Sequence, residues 1–77
     1  MKVIEFLKMN KVERAQIVSD KGVFIDGYTD KGEGIEVYYY DGFFVEITFS
    51  VNGQIIEVLP FVNGYKKGKY PFLGIQN

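Results

Sequence analysis

Apolar and polar residues follow a helical spacing up to residue 21 and an alternating spacing beyond it. Residues 2–21 contain neither glycine nor proline, and six apolar residues there lie on one arc of a helix. These residues are Val3, Ile4, Leu7, Ala15, Ile17 and Val18. The pattern predicts a helical segment over residues 1–21. Gly22 is predicted to end it in the left-handed conformation that glycine adopts readily after a last helical turn.

The helical segment can be one helix or two. Asn10 interrupts the apolar arc, and Glu13 follows it three residues later. This spacing is typical of a helix N-terminus, because each of the two side chains can accept a hydrogen bond from the backbone N–H of the other residue. The sequence therefore allows a single helix over residues 2–21. It equally allows a short helix to Met9 followed by a second helix after Asn10.

Four strands are predicted after the helical segment, within residues 23–62. Asp41-Gly42 and Asn52-Gly53 separate the last three strands, and such pairs are the strongest short signal for a β-hairpin. Residues 30–34, rich in glycine and charge, predict the first turn. The predicted strands are 23–29, 35–40, 43–51 and 54–62.

These elements predict an α+β fold in a single domain, residues 1–77, with the N-terminal helix packed on one face of a four-stranded antiparallel β-meander. The alternative is a small SH3-like barrel of the same strands, with the helix at one end. Residues 63–77 are predicted to be an irregular C-terminal tail, because Pro71 cannot donate a hydrogen bond inside a sheet.

The turn at Asp41-Gly42 decides which side chains share a face of the sheet. A two-residue turn would place Glu36 on the core face. A three-residue loop pairs Tyr39 with Phe43 instead and leaves only apolar residues there. Because a shift by one residue moves every side chain to the other face, burial favours the three-residue loop. The predicted core face then carries Ile35, Val37, Tyr39, Phe43, Val45, Ile47 and Phe49.

The second hairpin is predicted to use a two-residue turn at Asn52-Gly53, which pairs Ile47 with Val58 and Phe49 with Ile56. With both registers set, an outer face remains that is apolar and acidic at once. Contiguous exposed apolar side chains usually mark an interaction site. The predicted interaction surface consists of Tyr38, Phe44, Leu59, Phe61, Glu36, Glu46 and Glu57, with Phe44 beside Phe61.

Two stretches in the hairpin region carry a resemblance. The sequences DGFFVEITF and QIIEVLPF resemble a hairpin pattern of small uncharacterised bacterial α+β proteins. The resemblance covers roughly the central third of the chain. It implies the fold predicted above, and it implies no activity, because none is assigned to those proteins.

Charge is distributed unevenly along the chain, although the net charge is only −1. Residues 32–64 carry five acids and no base, whereas residues 65–77 carry three lysines and no acid. The lysines, Lys66, Lys67 and Lys69, form a candidate basic patch. The helical bases Lys2, Lys8, Lys11 and Arg14 are expected on the solvated side of the helix.

The basic tail allows two interpretations. Residues 65–77 can fold over the predicted interaction surface and neutralise its carboxylates. Alternatively, the mixture of lysine and tyrosine in residues 65–70 is typical of a nucleic-acid contact. The pI of about 5.3 argues against nucleic acid as the main partner, because nucleic-acid-binding domains usually have a pI above about 9.

Catalytic chemistry finds little support in the sequence. Histidine and cysteine are absent, which removes the commonest general base, thiolate metal sites and disulfides. No glycine-rich stretch lies between a strand and a helix, as a phosphate loop requires. The row of Glu36, Glu46 and Glu57 supplies carboxylates without a nucleophile. We therefore predict no enzyme, and no catalytic, cofactor, metal or small-molecule substrate site.

The remaining expectation is a non-enzymatic protein-binding or self-association module that uses the outer sheet face. Its partner is either a different protein or a second copy of the chain, which would give a homodimer. No stretch approaches the roughly 20 apolar residues of a membrane span, and the apolar run from Val3 to Leu7 is too short for the hydrophobic region of a signal peptide. The sequence therefore predicts a cytoplasmic protein without a membrane contact.

Overall fold

A computed structural model describes residues 1–61 and contains two short helices followed by an antiparallel sheet. The helices are α1 (Val3–Leu7) and α2 (Lys11–Lys21). The strands are β1 (Val23–Asp30), β2 (Glu33–Tyr40), β3 (Phe43–Phe49) and β4 (Ile55–Phe61). The predicted α+β class is confirmed. Within residues 1–61, neither helix is long and apolar enough to cross a membrane.

The chain breaks its helical segment at Asn10, so the alternative with two helices is the correct one. The Asn10 side chain accepts a hydrogen bond from the Glu13 N–H at 2.8 Å, and Glu13 Oε1 accepts one from the Asn10 N–H at 3.0 Å. This reciprocal pair satisfies backbone donors that the start of α2 would otherwise leave without partners. Local hydrogen bonding therefore outweighs the continuous apolar arc.

Gly22 follows α2 as predicted, but for a different reason. Its backbone is extended, with φ −81°, instead of left-handed. A Cβ atom at Gly22 would lie 2.6 Å from the carbonyl oxygen of Val18. Glycine is needed there because the chain passes close to the last turn of the helix on its way into β1.

The four strands pair in the order β1-β2-β3-β4, which confirms the predicted meander. Each strand pairs with its neighbour along the chain, and all pairs are antiparallel. Among the described residues β1 and β4 do not pair with each other, so the sheet is open instead of closed into the alternative SH3-like barrel. Both helices pack on one face, here called the helix side. The opposite face is called the far side.

The first predicted register is wrong. Tyr40 pairs with Phe43 across a two-residue turn in which Asp41 has φ 47° and Gly42 has φ 97°. Positive φ at both positions is the type I′ geometry that suits the twist of a hairpin, and aspartate tolerates it better than most residues. Ile35, Val37 and Tyr39 therefore lie on the far side.

The second hairpin also differs from its prediction. Its loop spans residues 51–53, because the Ser50 N–H donates to the Gln54 carbonyl oxygen at 2.8 Å. The extra loop residue pairs Phe49 with Ile55 instead of Ile56. A register shift in the next step along the strands then restores the predicted pairing of Ile47 with Val58. The three-residue loop thus occurs in the hairpin for which a two-residue turn was predicted.

Apolar side chains are buried on both sides of the sheet. The helix-side cluster contains Phe6, Ala15, Val18, Tyr40, Phe43, Val45, Ile47 and Val58. The far-side cluster contains Ile35, Val37 and Phe61, with Ile25, Tyr28 and Phe44 packed against them. The register prediction assumed a single core face, and this second cluster is the reason that it failed.

Arg14 joins the two helices to the sheet. Its guanidinium donates to the carbonyl oxygens of Phe6 at 3.1 Å, Leu7 at 2.7 Å and Val58 at 2.9 Å. It also lies 5.7 Å from the centre of the Phe6 ring. The expectation that Arg14 belongs to the solvated side of the helix is therefore wrong. Its planar fork of donors matches three acceptors that a lysine could not satisfy together.

We predict that Arg14→Met lowers the free energy of unfolding by about 2–3 kcal/mol, because it leaves three carbonyl groups without their charged donor. Arg14→Lys should recover only part of the loss. The exposed Lys11 provides the control, and Lys11→Met should change stability by less than about 0.5 kcal/mol. Urea denaturation followed by circular dichroism measures all three. Equal stability of the Arg14 and Lys11 variants would contradict the role given to Arg14.

Candidate functional site

The predicted interaction surface does not exist as one surface. Glu36 and Tyr38 lie on the helix side, because they pair with Ile47 and Val45. The other five predicted residues belong to the far side of the sheet. These are Phe44, Glu46, Glu57, Leu59 and Phe61. The two-residue turn at Asp41-Gly42 causes the split, since it turns β2 over relative to the prediction.

A row of aromatic rings crosses the far side. The rings of Tyr39 and Phe44 meet edge to face at 5.3 Å, and those of Phe44 and Phe61 stack at 5.5 Å. The predicted neighbourhood of Phe44 and Phe61 is thus confirmed. Phe61 is only 5% exposed, so it is a core residue and not a surface anchor. Val23, Tyr39 and Leu59 retain exposed apolar surface on this side.

A cleft of about 290 Å³ lies on the helix side, between α2 and the sheet. We call it the α2 cleft. Four of its residues come from α2 and follow one another at the spacing of a helix face. Its described lining consists of Val12, Ala15, Gln16, Ser19, Glu36, Tyr38, Ile47, Phe49 and Ile55. The cleft therefore joins an apolar sheet surface to a small set of polar side chains.

Glu36 and Tyr38 form a hydrogen-bonded pair in the α2 cleft. The Tyr38 hydroxyl donates to Glu36 Oε1 at 2.9 Å. Burial raises the pKa of Tyr38, and the hydrogen bond to Glu36 and the charge of that carboxylate raise it further. Neither lysine nor arginine occurs among the described residues that line the cleft. Glu36, which is half-buried, has no cationic partner there.

Two glycines lie beside Glu36 on its side of the sheet. Gly27 in β1 pairs with Glu36, and Gly34 precedes it by two residues in β2, so both glycines share its side of the sheet. A Cβ atom at Gly27 would lie 3.2 Å from Cζ of Phe24. The absent side chain at Gly27 therefore makes room for the Phe24 ring.

Phe24 forms an exposed rim next to the cleft. Its ring meets that of Tyr38 edge to face, with 5.6 Å between the ring centres. Its side chain is nevertheless 56% exposed. Val12, on the α2 wall of the cleft, is 67% exposed. Large exposed apolar side chains thus lie on both sides of the carboxylate.

The cleft offers recognition chemistry more readily than catalysis. Its polar groups are one carboxylate, one phenol, one amide and one hydroxyl. A hydroxyl nucleophile needs an adjacent base, and the carboxylate, Glu36, is hydrogen-bonded to Tyr38 instead of to Ser19. Across residues 1–61, no three metal-binding side chains cluster together. The candidate basic patch, Lys66, Lys67 and Lys69, lies outside the described residues. Both interpretations of the tail, as a cover for the sheet and as a nucleic-acid contact, therefore stay predictions of the sequence.

The sequence prediction missed the cleft because it placed Glu36 and Tyr38 on the wrong side. It also passed over Phe24, Gln16 and Ser19. A signal for the α2 wall was present, since residues 12, 15, 16 and 19 recur at helical spacing and mix small, polar and apolar types. No signal in the sequence indicated that this helix face lies next to Glu36.

Comparisons with known proteins give no family and no structural neighbour. No protein-family model matches the chain, and neither the curated proteins nor the solved structures include a match. The α2 cleft is therefore interpreted from its own chemistry.

Phe61 and Leu59 both belong to the interaction surface that the sequence predicts. We predict that their truncation to alanine lowers the free energy of unfolding by different amounts. Phe61→Ala should lower the free energy of unfolding by about 3–5 kcal/mol, because it removes a buried ring and leaves a cavity. Leu59→Ala, at a side chain 37% exposed, should cost less than about 1.5 kcal/mol. Thermal and urea denaturation compare the two variants. Similar losses would contradict the placement of Phe61 in the far-side cluster.

A second prediction concerns the pKa of Tyr38. Glu36→Gln should lower it, because the neutral amide removes the charge that disfavours tyrosinate. The pKa should stay above the ordinary value of 10.0, since burial, the largest cause, remains. NMR titration of the Tyr38 Cζ resonance measures it, with Glu57→Gln as the control. The folded state holds the Tyr38 hydroxyl proton more tightly than the unfolded state does. The free energy of unfolding should therefore decrease as the pH rises above 10.0, and Tyr38→Phe should make this decrease smaller.

Proposed function

We propose that the protein is a non-enzymatic protein-binding module and that the α2 cleft, with Phe24 at its rim, is the binding surface. The observation that carries the proposal is the exposure of Phe24 and Val12 on either side of a half-buried carboxylate. In protein interfaces, a few side chains, often aromatic, contribute most of the binding energy. The partner shields them and the neighbouring polar contacts from water. This surface offers both.

A protein partner fits the surface better than a small molecule does. The Phe24 ring contacts Tyr38, yet it is not one of the residues that line the cleft. A small ligand inside the cleft would leave that ring in water. A polypeptide segment can fill the cleft and cover Phe24 together, and such burial of apolar area is the main favourable contribution to association.

The far side supports association less well than the helix side does. Ile35, Val37 and Phe61 are already buried on this side, so the apolar surface left for a partner is limited to side chains such as Val23, Tyr39 and Leu59. The proposal therefore moves the binding surface from the outer sheet face, where the sequence placed it, to the helix side. Self-association and a cytoplasmic setting stay predictions of the sequence.

A non-enzymatic role is supported by what the cleft contains. One carboxylate hydrogen-bonded to one phenol can orient a ligand, but general acid–base catalysis of most group transfers needs a second activated group. The Tyr38 hydroxyl is protonated at neutral pH, as any tyrosine with a pKa of about 10 or higher is, and it serves there as a hydrogen-bond donor.

The proposal is tested with a random peptide library displayed on phage and selected on the immobilised protein. Val23 and Phe24 give a matched pair of variants, because the two neighbours are 59% and 56% exposed and lie on opposite sides of the sheet. Selected peptides should bind Phe24→Ser at least about tenfold more weakly than wild type. Their affinity for Val23→Ser should stay within about twofold of wild type.

Two results would contradict the proposal. In the first, the selected peptides lose affinity for Val23→Ser and keep it for Phe24→Ser, which would assign binding to the far side. In the second, the library yields no binder while light scattering shows a stable dimer that Phe24→Ser leaves intact. Circular dichroism of both variants checks that neither substitution unfolds the chain.

A further inference from the structure

We propose that the α2 cleft receives a lysine or arginine side chain from a basic segment of the partner protein, with the cationic head group on Glu36 and the hydrocarbon stem on the apolar wall. The inference rests on the proposed function and deepens it, because it names the chemistry that the binding surface selects.

The charge of Glu36 is the first support. Its carboxylate is half-buried, and the hydrogen bond from Tyr38 is its one polar contact among residues 1–61. Its partial desolvation is unfavourable, and no base within the part of the chain that the structure describes is paired with it. Arg14, a nearby base on α2, is already committed to three backbone carbonyl groups. A cation supplied by a partner would complete the site.

The second support is that the Glu36 carboxylate and the Tyr38 oxygen can both accept hydrogen bonds from one cation. The Tyr38 oxygen donates its proton to Glu36 and retains lone pairs, so it can accept a hydrogen bond at the same time. An ammonium or guanidinium group can therefore bond to the carboxylate and to the phenol together. A single carboxylate is too few for a calcium or magnesium ion, which needs about six oxygen ligands.

The walls of the cleft are the third support. Ile47, Phe49 and Ile55 supply apolar surface beside the carboxylate. Lysine and arginine side chains carry a hydrocarbon stem that packs on such surface while the head group finds a polar partner. Gly34, on the same side of the sheet and two residues before Glu36, adds no side chain that would compete with the head group.

Charge beyond the cleft points to the same class of partner. Residues 32–64 contain five acids and no base, so the sheet region around Glu36 has a net negative charge, although Glu46 and Glu57 lie on the far side. On α2, the amide of Gln16 in the cleft lining binds Asp20, a further acid. Complementary charge accelerates association with a basic segment and disfavours an acidic one.

The inference is tested with three probes of one chain length, n-hexylammonium, 1-hexanol and hexanoate, each titrated into the ¹⁵N-labelled full chain. Hexylammonium should shift the amide resonances of Ser19, Glu36 and Tyr38 in a saturable way. Its Kd should lie in the millimolar range, as expected for about seven heavy atoms on an open surface. Hexanol should bind about fivefold more weakly, and hexanoate should not bind.

Two variants that each remove one negative charge distinguish a direct contact with Glu36 from attraction by the overall charge of the protein. Glu36→Gln should weaken hexylammonium binding by about fivefold, which corresponds to roughly 1 kcal/mol. Glu57→Gln removes the same charge from the far side and should leave the Kd within about twofold. Peptides selected from the library should contain lysine or arginine and should lose affinity for Glu36→Gln.

Several results would overturn the inference. If hexanol and hexylammonium bind equally, or if both glutamine variants weaken binding equally, Glu36 selects no cation. If the selected peptides lack basic residues yet depend on Phe24, the inference fails while the proposed function stands. A Kd below about 10 micromolar for free hexylammonium would indicate a small-amine site instead. A wild-type dimer that Glu36→Gln dissociates would make the occupant a second copy instead of a separate partner.

Discussion

The two-residue turn at Asp41 and Gly42 determines which side of the sheet every side chain of β2 occupies. Both residues have positive φ, and this geometry fixes the pairing of Tyr40 with Phe43. Because side chains alternate along a strand, that single pairing sends Val37 to the far side. It also sends Glu36 and Tyr38 to the helix side, where they meet α2. The α2 cleft exists because of this register.

Arg14 fixes the other wall of the cleft. By binding carbonyl groups at the end of α1 and in β4, it holds the start of α2 against the β4 end of the sheet. The helix covers β4 more closely than β2. Space therefore remains over β2, where Glu36 lies, and continues to the exposed Phe24 in β1. The position of the Arg14 guanidinium and the register of the β2–β3 hairpin together leave the α2 cleft open at Glu36.

Local signals in the sequence predicted most of the elements. Asn10 and Glu13 indicated the helix start, and the Asx–Gly pairs located two hairpins. These features depend on residues close together along the chain, so their physics is visible in the sequence. The meander order followed from short connections between consecutive strands. The helical segment, the four strands and their order were thus predictable, whereas the sequence left open whether the helical segment is one helix or two.

Register was not predictable by the same means. The prediction rejected the two-residue turn because it placed Glu36 on the core face. In the structure that position is tolerated, since Glu36 lies at a cleft and accepts a hydrogen bond from Tyr38. The two-residue turn also takes Ile35 and Val37 off the core face, and their burial in a second cluster keeps them out of solvent. Both facts depend on tertiary contacts, as does the role of Arg14, whose acceptors include Val58, 44 residues further along the chain.

The most direct measurement is a cross-strand NOE spectrum of the ¹³C-labelled protein. The account predicts Hα contacts between Val37 and Glu46 and between Tyr39 and Phe44, because these residues face each other across β2 and β3. Contacts between Glu36 and Glu46 instead would mean a three-residue loop. That result would return Glu36 and Tyr38 to the far side, and it would contradict the α2 cleft as the binding surface.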